Sequence, residues 1–290
     1  MKVFNRMGVG LAALIMTALW TGCDDDNTGT DADNKKLVEM KSVSTSTYND
    51  GESYTMIDVY VYTYNADGTL ASWELDMERS NDIYSIDNGA LTWTADTIYE
   101  SSQDGFSVTY ALNDDNRIEQ MTSTIVGIDF RYTYAYDSAG RLTTANITSG
   151  IMNYTYTDGV ITSATYRTTF DPDYGYDDYT LQYTWTYSTQ TCRGYNPAYL
   201  IGCGLTSAYS DLPEMQIYTV CPELVNLRSN RMPTELVVTT PDTDNASAVR
   251  DTRSLTFDYV LDDDGYVEQV IVCRKYSSVT TDITYTFTWE

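Results

Sequence analysis

Histidine is absent from all 290 residues. That gap removes Ser-His-Asp and Cys-His catalysis and every zinc site that needs an imidazole. Any chemistry would have to rest on carboxylates, Tyr, Lys or a metal held by oxygen ligands. Bases are scarce as well: 17 Lys and Arg stand against 42 acids, for a net charge of −25. Past residue 23 the only lysines are Lys35, Lys36, Lys41 and Lys275. So acidic a chain is repelled by nucleic acid, whose binding depends on neutralising phosphates, so no nucleic-acid partner is expected. The same charge keeps an exported protein soluble. The apolar run near the start, Met7–Leu19, has 13 residues, short of the roughly 20 that a membrane-spanning helix needs. No CxxC pair is present, which disfavours a thiolate metal site.

What is present at the start is a targeting pattern. Lys2 and Arg6 precede the apolar run, and Trp20-Thr21-Gly22-Cys23 and then Asp24, Asp25 and Asp26 follow it. A charged start, a short apolar centre and small residues before a cleavage point make a secretory signal peptide, here residues 1–22. The ending on cysteine resembles the lipobox of bacterial lipoproteins, with Trp20 where Leu is usual. That resemblance implies acylation of Cys23, which becomes the new N-terminus and anchors the chain in a membrane. The acidic run after Cys23 is similar to the export signal of Bacteroidota surface lipoproteins. It implies an outer-membrane protein facing the medium. Residues 23–45, rich in Asp, Asn, Thr, Ser and Lys, read as a flexible acidic tether.

From residue 46 the grammar changes. Tyr alternates with Thr, Val and Ser, as in Tyr60-Val61-Tyr62-Thr63-Tyr64, Tyr132-Thr133-Tyr134-Ala135-Tyr136 and Tyr183-Thr184-Trp185-Thr186-Tyr187. A period of two in aromatic and β-branched residues means strands with one packed and one wet face. A recurring turn punctuates them. Copies are Tyr64–Leu70, Ile86–Leu91, Leu112–Ile118, Tyr136–Leu142, Tyr156–Ile161 and Leu261–Val267. In each, Asp or Asn opens the turn, and Gly or Asn is available for the left-handed position of a hairpin loop. The expected fold is all-β: one domain over 46–290, a large curled antiparallel meander of hairpin repeats, open or partly closed like a barrel.

The meander is interrupted by an irregular insert over 189–233. It carries Pro197, Pro213 and Pro222 and three of the four remaining cysteines, Cys192, Cys203 and Cys221; the fourth is Cys273. An exported location permits disulfides, and four cysteines allow three connectivities, so a local bridge within the insert is expected. The insert's apolar pieces need cover. It either packs across an open end or inner face of the sheet, or forms a disulfide-pinned surface excursion.

The copy Tyr134-Ala135-Tyr136-Asp137-Ser138-Ala139-Gly140-Arg141-Leu142 resembles the YD repeats of Rhs-type shell proteins, as a hairpin grammar. The lipobox, the Tyr-rich hairpins, the insert and the unit from Met232 to Val267 together resemble a family of uncharacterised Bacteroidota lipoproteins with a porin-like β fold. That resemblance implies a barrel-like sheet and no particular activity.

Candidate sites are few. Asp171, Asp173, Asp177 and Asp178, spaced around Gly175, resemble a calcium loop. The pattern departs from an EF-hand, with Gly175 where an oxygen ligand is expected and Gln182 where the closing Glu would be. An acidic, Tyr-rich hairpin tip is the favoured explanation, so no cofactor is expected, with a calcium ion as the lesser alternative. The first expected function is a noncatalytic binding or adhesion module for an extracellular glycan or protein. The alternative is a carrier of a lipid or other apolar small molecule, with the curled sheet as cavity and the insert as lid. The third is a carboxylate-based hydrolase. Inward Tyr and Trp would favour the carrier, a flat exposed aromatic strip the adhesin, and two opposed carboxylates the hydrolase.

Overall fold

Alternation along the strands fixes which face packs. On the last strand Ile283, Tyr285 and Phe287 are buried, while Asp282, Thr286 and Thr288 between and beside them are exposed. Leu181, Tyr183 and Trp185 against Gln182, Thr184 and Thr186 repeat the pattern earlier in the chain. With side chains alternating faces, the aromatic and aliphatic residues line the interior and the hydroxyl and charged residues the exterior.

The computed structural model describes residues 35–49, 51–79, 82–102, 107–125, 128–147, 150–168, 180–200, 216–241, 249–276 and 279–290. Its strands are β1 (Leu37–Tyr48), β2 (Ser53–Tyr64), β3 (Leu70–Arg79), β4 (Asp82–Trp93), β5 (Thr97–Ser102), β6 (Ser107–Leu112), β7 (Ile118–Ile125) and β8 (Ile128–Tyr136), followed by β9 (Leu142–Ile147), β10 (Gly150–Thr157), β11 (Val160–Thr168), β12 (Thr180–Thr191), β13 (Arg231–Pro241), β14 (Val249–Leu261), β15 (Val267–Tyr276) and β16 (Val279–Trp289). Each pairs antiparallel with its neighbours in sequence, and β16 returns to β1, closing the barrel. The seam runs from Leu37 opposite Trp289 to Tyr48 opposite Val279. Lys35–Glu290 forms one compact unit. Because closure leaves no open sheet edge, that unit carries its own complete ladder and core and is self-sufficient.

Three expectations need correction here. The sheet is a closed barrel, not an open or partly closed one. The tether does not reach residue 45: β1 starts at Leu37, with Leu37, Met40 and Ser42 buried. The stretch hides in the sequence because its inward residues beyond Met40 are Ser42, Ser44 and Ser46, which give no hydrophobic alternation. And Asp87-Asn88-Gly89 is not a turn but the middle of β4. Gly89 is there for space. A methyl added to it would overlap the indole nitrogen and ring carbons of Trp73, which lies flat over it from β3.

The other turns follow the chemistry expected of them. Asn113 Oδ1 accepts the N–H groups of Asp115 and Arg117, Asp137 Oδ1 those of Ala139 and Arg141, and Asp262 Oδ1 those of Asp264 and Tyr266, all at 2.8–3.0 Å. The left-handed position is taken by Asn116 (φ 59°) in the first and Gly140 (φ 77°) in the second. The side-chain acceptor satisfies two loop N–H groups that would otherwise need water.

Candidate functional site

These turns ring one end of the barrel, and there the tyrosines have a defined job. The aromatic that closes one strand of a hairpin donates to the carbonyl of the aliphatic residue that opens the other. Tyr64 Oη reaches Leu37 O (2.6 Å), Tyr136 Oη reaches Ile118 O (2.6 Å), Tyr156 Oη reaches Leu142 O (2.8 Å) and Tyr187 Oη reaches Ile161 O (2.6 Å). Trp93 Nε1 to Leu70 O (2.8 Å) and Trp289 Nε1 to Val267 O (2.7 Å) do the same with an indole. The base before the aliphatic residue often lies on that aromatic ring: Lys36 over Tyr64 at 4.7 Å, Arg117 over Tyr136 at 5.7 Å and Arg141 over Tyr156 at 5.2 Å from the centroid. The Gly-Arg-Leu and Tyr of the repeat therefore meet in space as a cation–π and hydrogen-bonded staple.

The same end holds the described parts of the insert between β12 and β13, residues 192–200 and 216–230. It contains a helical turn at Pro197–Leu200, a short helix at Gln216–Val220 and a second helical turn at Pro222–Val225. Tyr195, Ala198, Tyr199, Ile217, Tyr218, Leu224, Val225 and Leu227 are buried. The insert is bolted to the rim by polar contacts. Asn226 Nδ2 donates to Gly140 O (2.7 Å), Ile161 N–H donates to Tyr199 Oη (2.9 Å) and Arg193 N–H donates to Gly265 O (2.8 Å). Tyr195 meets Trp289 edge to face with centroids 5.4 Å apart. The insert is a plug.

Below the plug, Tyr218 reaches the inner wall. Its hydroxyl and that of Tyr134 are 2.8 Å apart, and its ring packs edge-on against Tyr110. Tyr110 in turn donates to Glu100 Oε2 (2.6 Å), and Trp73 Nε1 donates to Glu100 Oε1 (2.6 Å). Glu100 is 5% exposed. Burial pushes its carboxyl above the usual carboxylate range, against the pull of the two donors. Burial likewise raises the phenols of Tyr110, Tyr134 and Tyr218, which stay neutral. Among the described residues the hydroxyls Tyr62 Oη, Ser102 Oγ and Ser123 Oγ face this interior without a partner. Sequence inspection did not single out Glu100 among so many acids. The signal that would have found it is parity: Ile98, Glu100 and Ser102 share one face of β5.

Cys192, Cys221 and Cys273 are free thiols. The expected bridge does not form among them because they point to different places. Cys192 Sγ approaches Asn230 O (3.5 Å), Cys221 starts the second helical turn of the plug, and Cys273 faces outward beside Asp282. Burial raises the Cys192 thiol to about 12 and lifts Cys221 well above its usual range. Cys23, Cys203 and the acids Asp171, Asp173, Asp177 and Asp178 lie outside the described residues. Among the described residues no group of three or more acids or cysteines is placed to hold a metal ion, and no helix is long and apolar enough to cross a membrane.

The outer wall bears on where the barrel can stand. Lipid-facing barrels carry an outward apolar band. Here β16 presents Thr280, Asp282, Thr284, Thr286 and Thr288 outward, and β3 presents Ser72, Glu74, Asp76 and Glu78. Six large apolar or aromatic side chains are exposed among the described residues: Tyr48, Tyr54, Val61, Tyr99, Val260 and Ile271. They are scattered among hydroxyls and charges, so the wall suits water.

No family model and no curated protein sequence matches the chain. Solved structures do. A porin-like protein from Bacteroides uniformis aligns with a TM-score of 0.59 at 14% identity, over 88% of this chain and 98% of its own. A porin-like protein from Bacteroides vulgatus aligns with a TM-score of 0.50 at 14% identity, over 86% and 98%. At that identity the likeness is one of fold: this chain is an all-β, sixteen-stranded antiparallel barrel similar in architecture to these two proteins.

Proposed function

We propose that this chain is a lipid-anchored surface protein, held through Cys23, whose barrel carries an apolar or amphipathic small molecule in its lumen without chemically altering it. The observation behind this reading is the sidedness of the wall. On strands such as β12 and β16 the aromatic and aliphatic residues face in and the Thr and Asp residues face out, so the larger apolar surface is internal. A lipid-binding barrel standing in water needs that arrangement, with one mouth sealed. The adhesin reading has less support. Among the described residues Tyr48, Tyr54 and Tyr99 are the exposed aromatics, and they do not form a strip. Nor does Glu100 act as one of two opposed catalytic carboxylates, because both its oxygens are engaged by Trp73 and Tyr110.

The test is native mass spectrometry of residues 35–290 after mild purification. The expected result is a co-purified mass of lipid or small-molecule size, released by organic extraction. A ligand-free mass, together with failure to take up any apolar probe, would overturn the carrier and send the search to glycan and host-protein arrays.

A further inference from the structure

We infer that the lumenal arc from β14 across the closing seam to β1 binds the anionic head group, carboxylate or phosphate, of an amphipathic ligand. This rests on the lumen-binding reading above and goes beyond it in naming the ligand's polar end.

Bases are scarce in this chain, 17 against 42 acids, yet two of them point inward on neighbouring strands. Strand parity decides their direction. Arg253 lies on the face of β14 that carries the buried Leu255 and Phe257, and Arg274 on the face of β15 that carries the buried Val270 and Val272. Leu255 is opposite Arg274, so Arg253, two residues from Leu255, is the diagonal neighbour of Arg274, about 7–8 Å away on the same face. Two long side chains at that spacing can converge on one head group. Hydroxyls continue the row. Arg274 is opposite Thr281 on β16 and Thr281 is opposite Ser46 on β1, the two hydroxyls being 3.0 Å apart.

The lumen is wet at this level and dry above it. Midway along β14 to β16 the inward residues Phe257, Val270, Val272, Ile283 and Tyr285 are buried. Toward the mouth opposite the plug, the inward Arg253, Arg274, Ser44, Ser46 and Met56 are half-buried, and the inward Tyr54 is 38% exposed. Solvent that reaches side chains pointing into a closed barrel lies within the lumen, so these positions border a water-accessible space just inside that mouth. Met77 on β3 and Phe130 and Tyr132 on β8, also inward and half-buried, give a ligand's tail an apolar wall.

The chemistry of the arc is that of an anion site. Each guanidinium carries five N–H donors in a planar fork that matches a carboxylate or phosphate two bonds at a time. Among the described residues Asp251 is the one acid at an inward position of β13 to β16 or β1, and it is turned to its own strand, accepting the Thr252 N–H (2.9 Å). The other inward acids, Asp58, Asp87 and Glu100, stand on β2, β4 and β5. The arc therefore keeps a positive surplus inside a chain whose net charge is −25.

The experiment titrates residues 35–290 with decanoate, decyl phosphate, decanol and decyltrimethylammonium, each below its micelle-forming concentration, by isothermal calorimetry and native mass spectrometry. The overall charge of the chain favours the ammonium and disfavours both anions, so the order of affinities tests the arc in the wild-type barrel. The anions are expected to bind at least about tenfold more tightly than decanol or the ammonium, and whichever anion is tighter identifies the head as carboxylate or phosphate. In Arg253→Gln/Arg274→Gln, with folding checked by circular dichroism, that advantage is expected to vanish while decanol affinity is unchanged. Decanol or the ammonium binding as tightly as the anions overturns the anion site and leaves the lumenal carrier standing; so does an anion preference that persists in the folded double variant. No binding of any of the four overturns the carrier and the anion site together.

Discussion

Gly89→Ala is the substitution whose outcome depends most on the Trp73 packing. Gly89 lies in extended backbone in β4, where alanine is conformationally acceptable and, by restricting the unfolded chain, should stabilise by about 0.4–1 kcal/mol. The packing reverses that sign. The new methyl would occupy the place of the Trp73 indole nitrogen and its neighbouring ring carbons. Overpacking of this kind costs about 1–3 kcal/mol. Displacing the indole also breaks its 2.6 Å bond to the buried Glu100, and a hydrogen bond to such a group is worth about 1.5–3 kcal/mol. The two losses share one cause and are not fully additive, so a net destabilisation of about 3 kcal/mol is expected. That is a large part of the roughly 5–15 kcal/mol that holds a typical domain. Urea unfolding of residues 35–290 followed by circular dichroism measures it. The companion variant Trp73→Phe/Gly89→Ala isolates the clash. With the smaller ring in place, adding the methyl should cost less than 1 kcal/mol. If Gly89→Ala alone is neutral or stabilising, or if the cost is the same in both backgrounds, the argument from packing fails.

Other expectations follow from the same geometry. A protein starting at residue 46 loses most of β1 and with it the seam to β16 and the partner of Tyr64. It should aggregate or fail to give a cooperative transition, while one starting at Lys35 unfolds cooperatively; size-exclusion chromatography separates the cases. A membrane-impermeant maleimide should modify Cys273 in the native barrel and Cys192 and Cys221 only after denaturation, because both are buried with raised thiol values; mapping by peptide mass decides, and fast labelling of Cys221 in native conditions would contradict the plug. Glu100 has a raised folded value, so its contribution is present below the ordinary 4.5 and is lost as pH rises through the raised value. The stability of wild type relative to Glu100→Gln should therefore fall with increasing pH over that window, measured by urea midpoints. Asp137 runs the other way: its hydrogen bonds from Arg141 lower its value, so its contribution fades as pH drops below about 3.8. Asp137→Asn should flatten that acid limb.

Much of the barrel was legible from local chemistry. The period-two runs around Tyr60 and Tyr183 became strands because alternation is set by the pleat itself. The Asx turns at 113–117, 137–141 and 262–266 formed because their hydrogen bonds are made within five residues. What escaped was whatever depends on partners distant in sequence. Closure pairs Leu37 with Trp289, and nothing near Leu37 announces it. Asn88-Gly89 carries the dipeptide of a tight turn, yet the ring of Trp73 sixteen positions earlier is what requires the glycine. Four cysteines suggest bridges, but spacing does not say that Cys273 faces outward. The buried acid was visible only as parity on β5, and its two donors come from β3 and β6. The tyrosine surplus was read correctly as sheet packing, while the carbonyl-seeking role of the rim hydroxyls required coordinates.

The even number of strands has one further consequence. It brings the chain's last residue back beside the first strand, where Lys36 and Glu290 exchange both backbone hydrogen bonds across the seam. A short linker could therefore join those two positions without disturbing a ladder. New ends could then be opened in any connection at the mouth opposite the plug. A circularly permuted barrel of this kind would carry both its ends at that mouth, away from the plug.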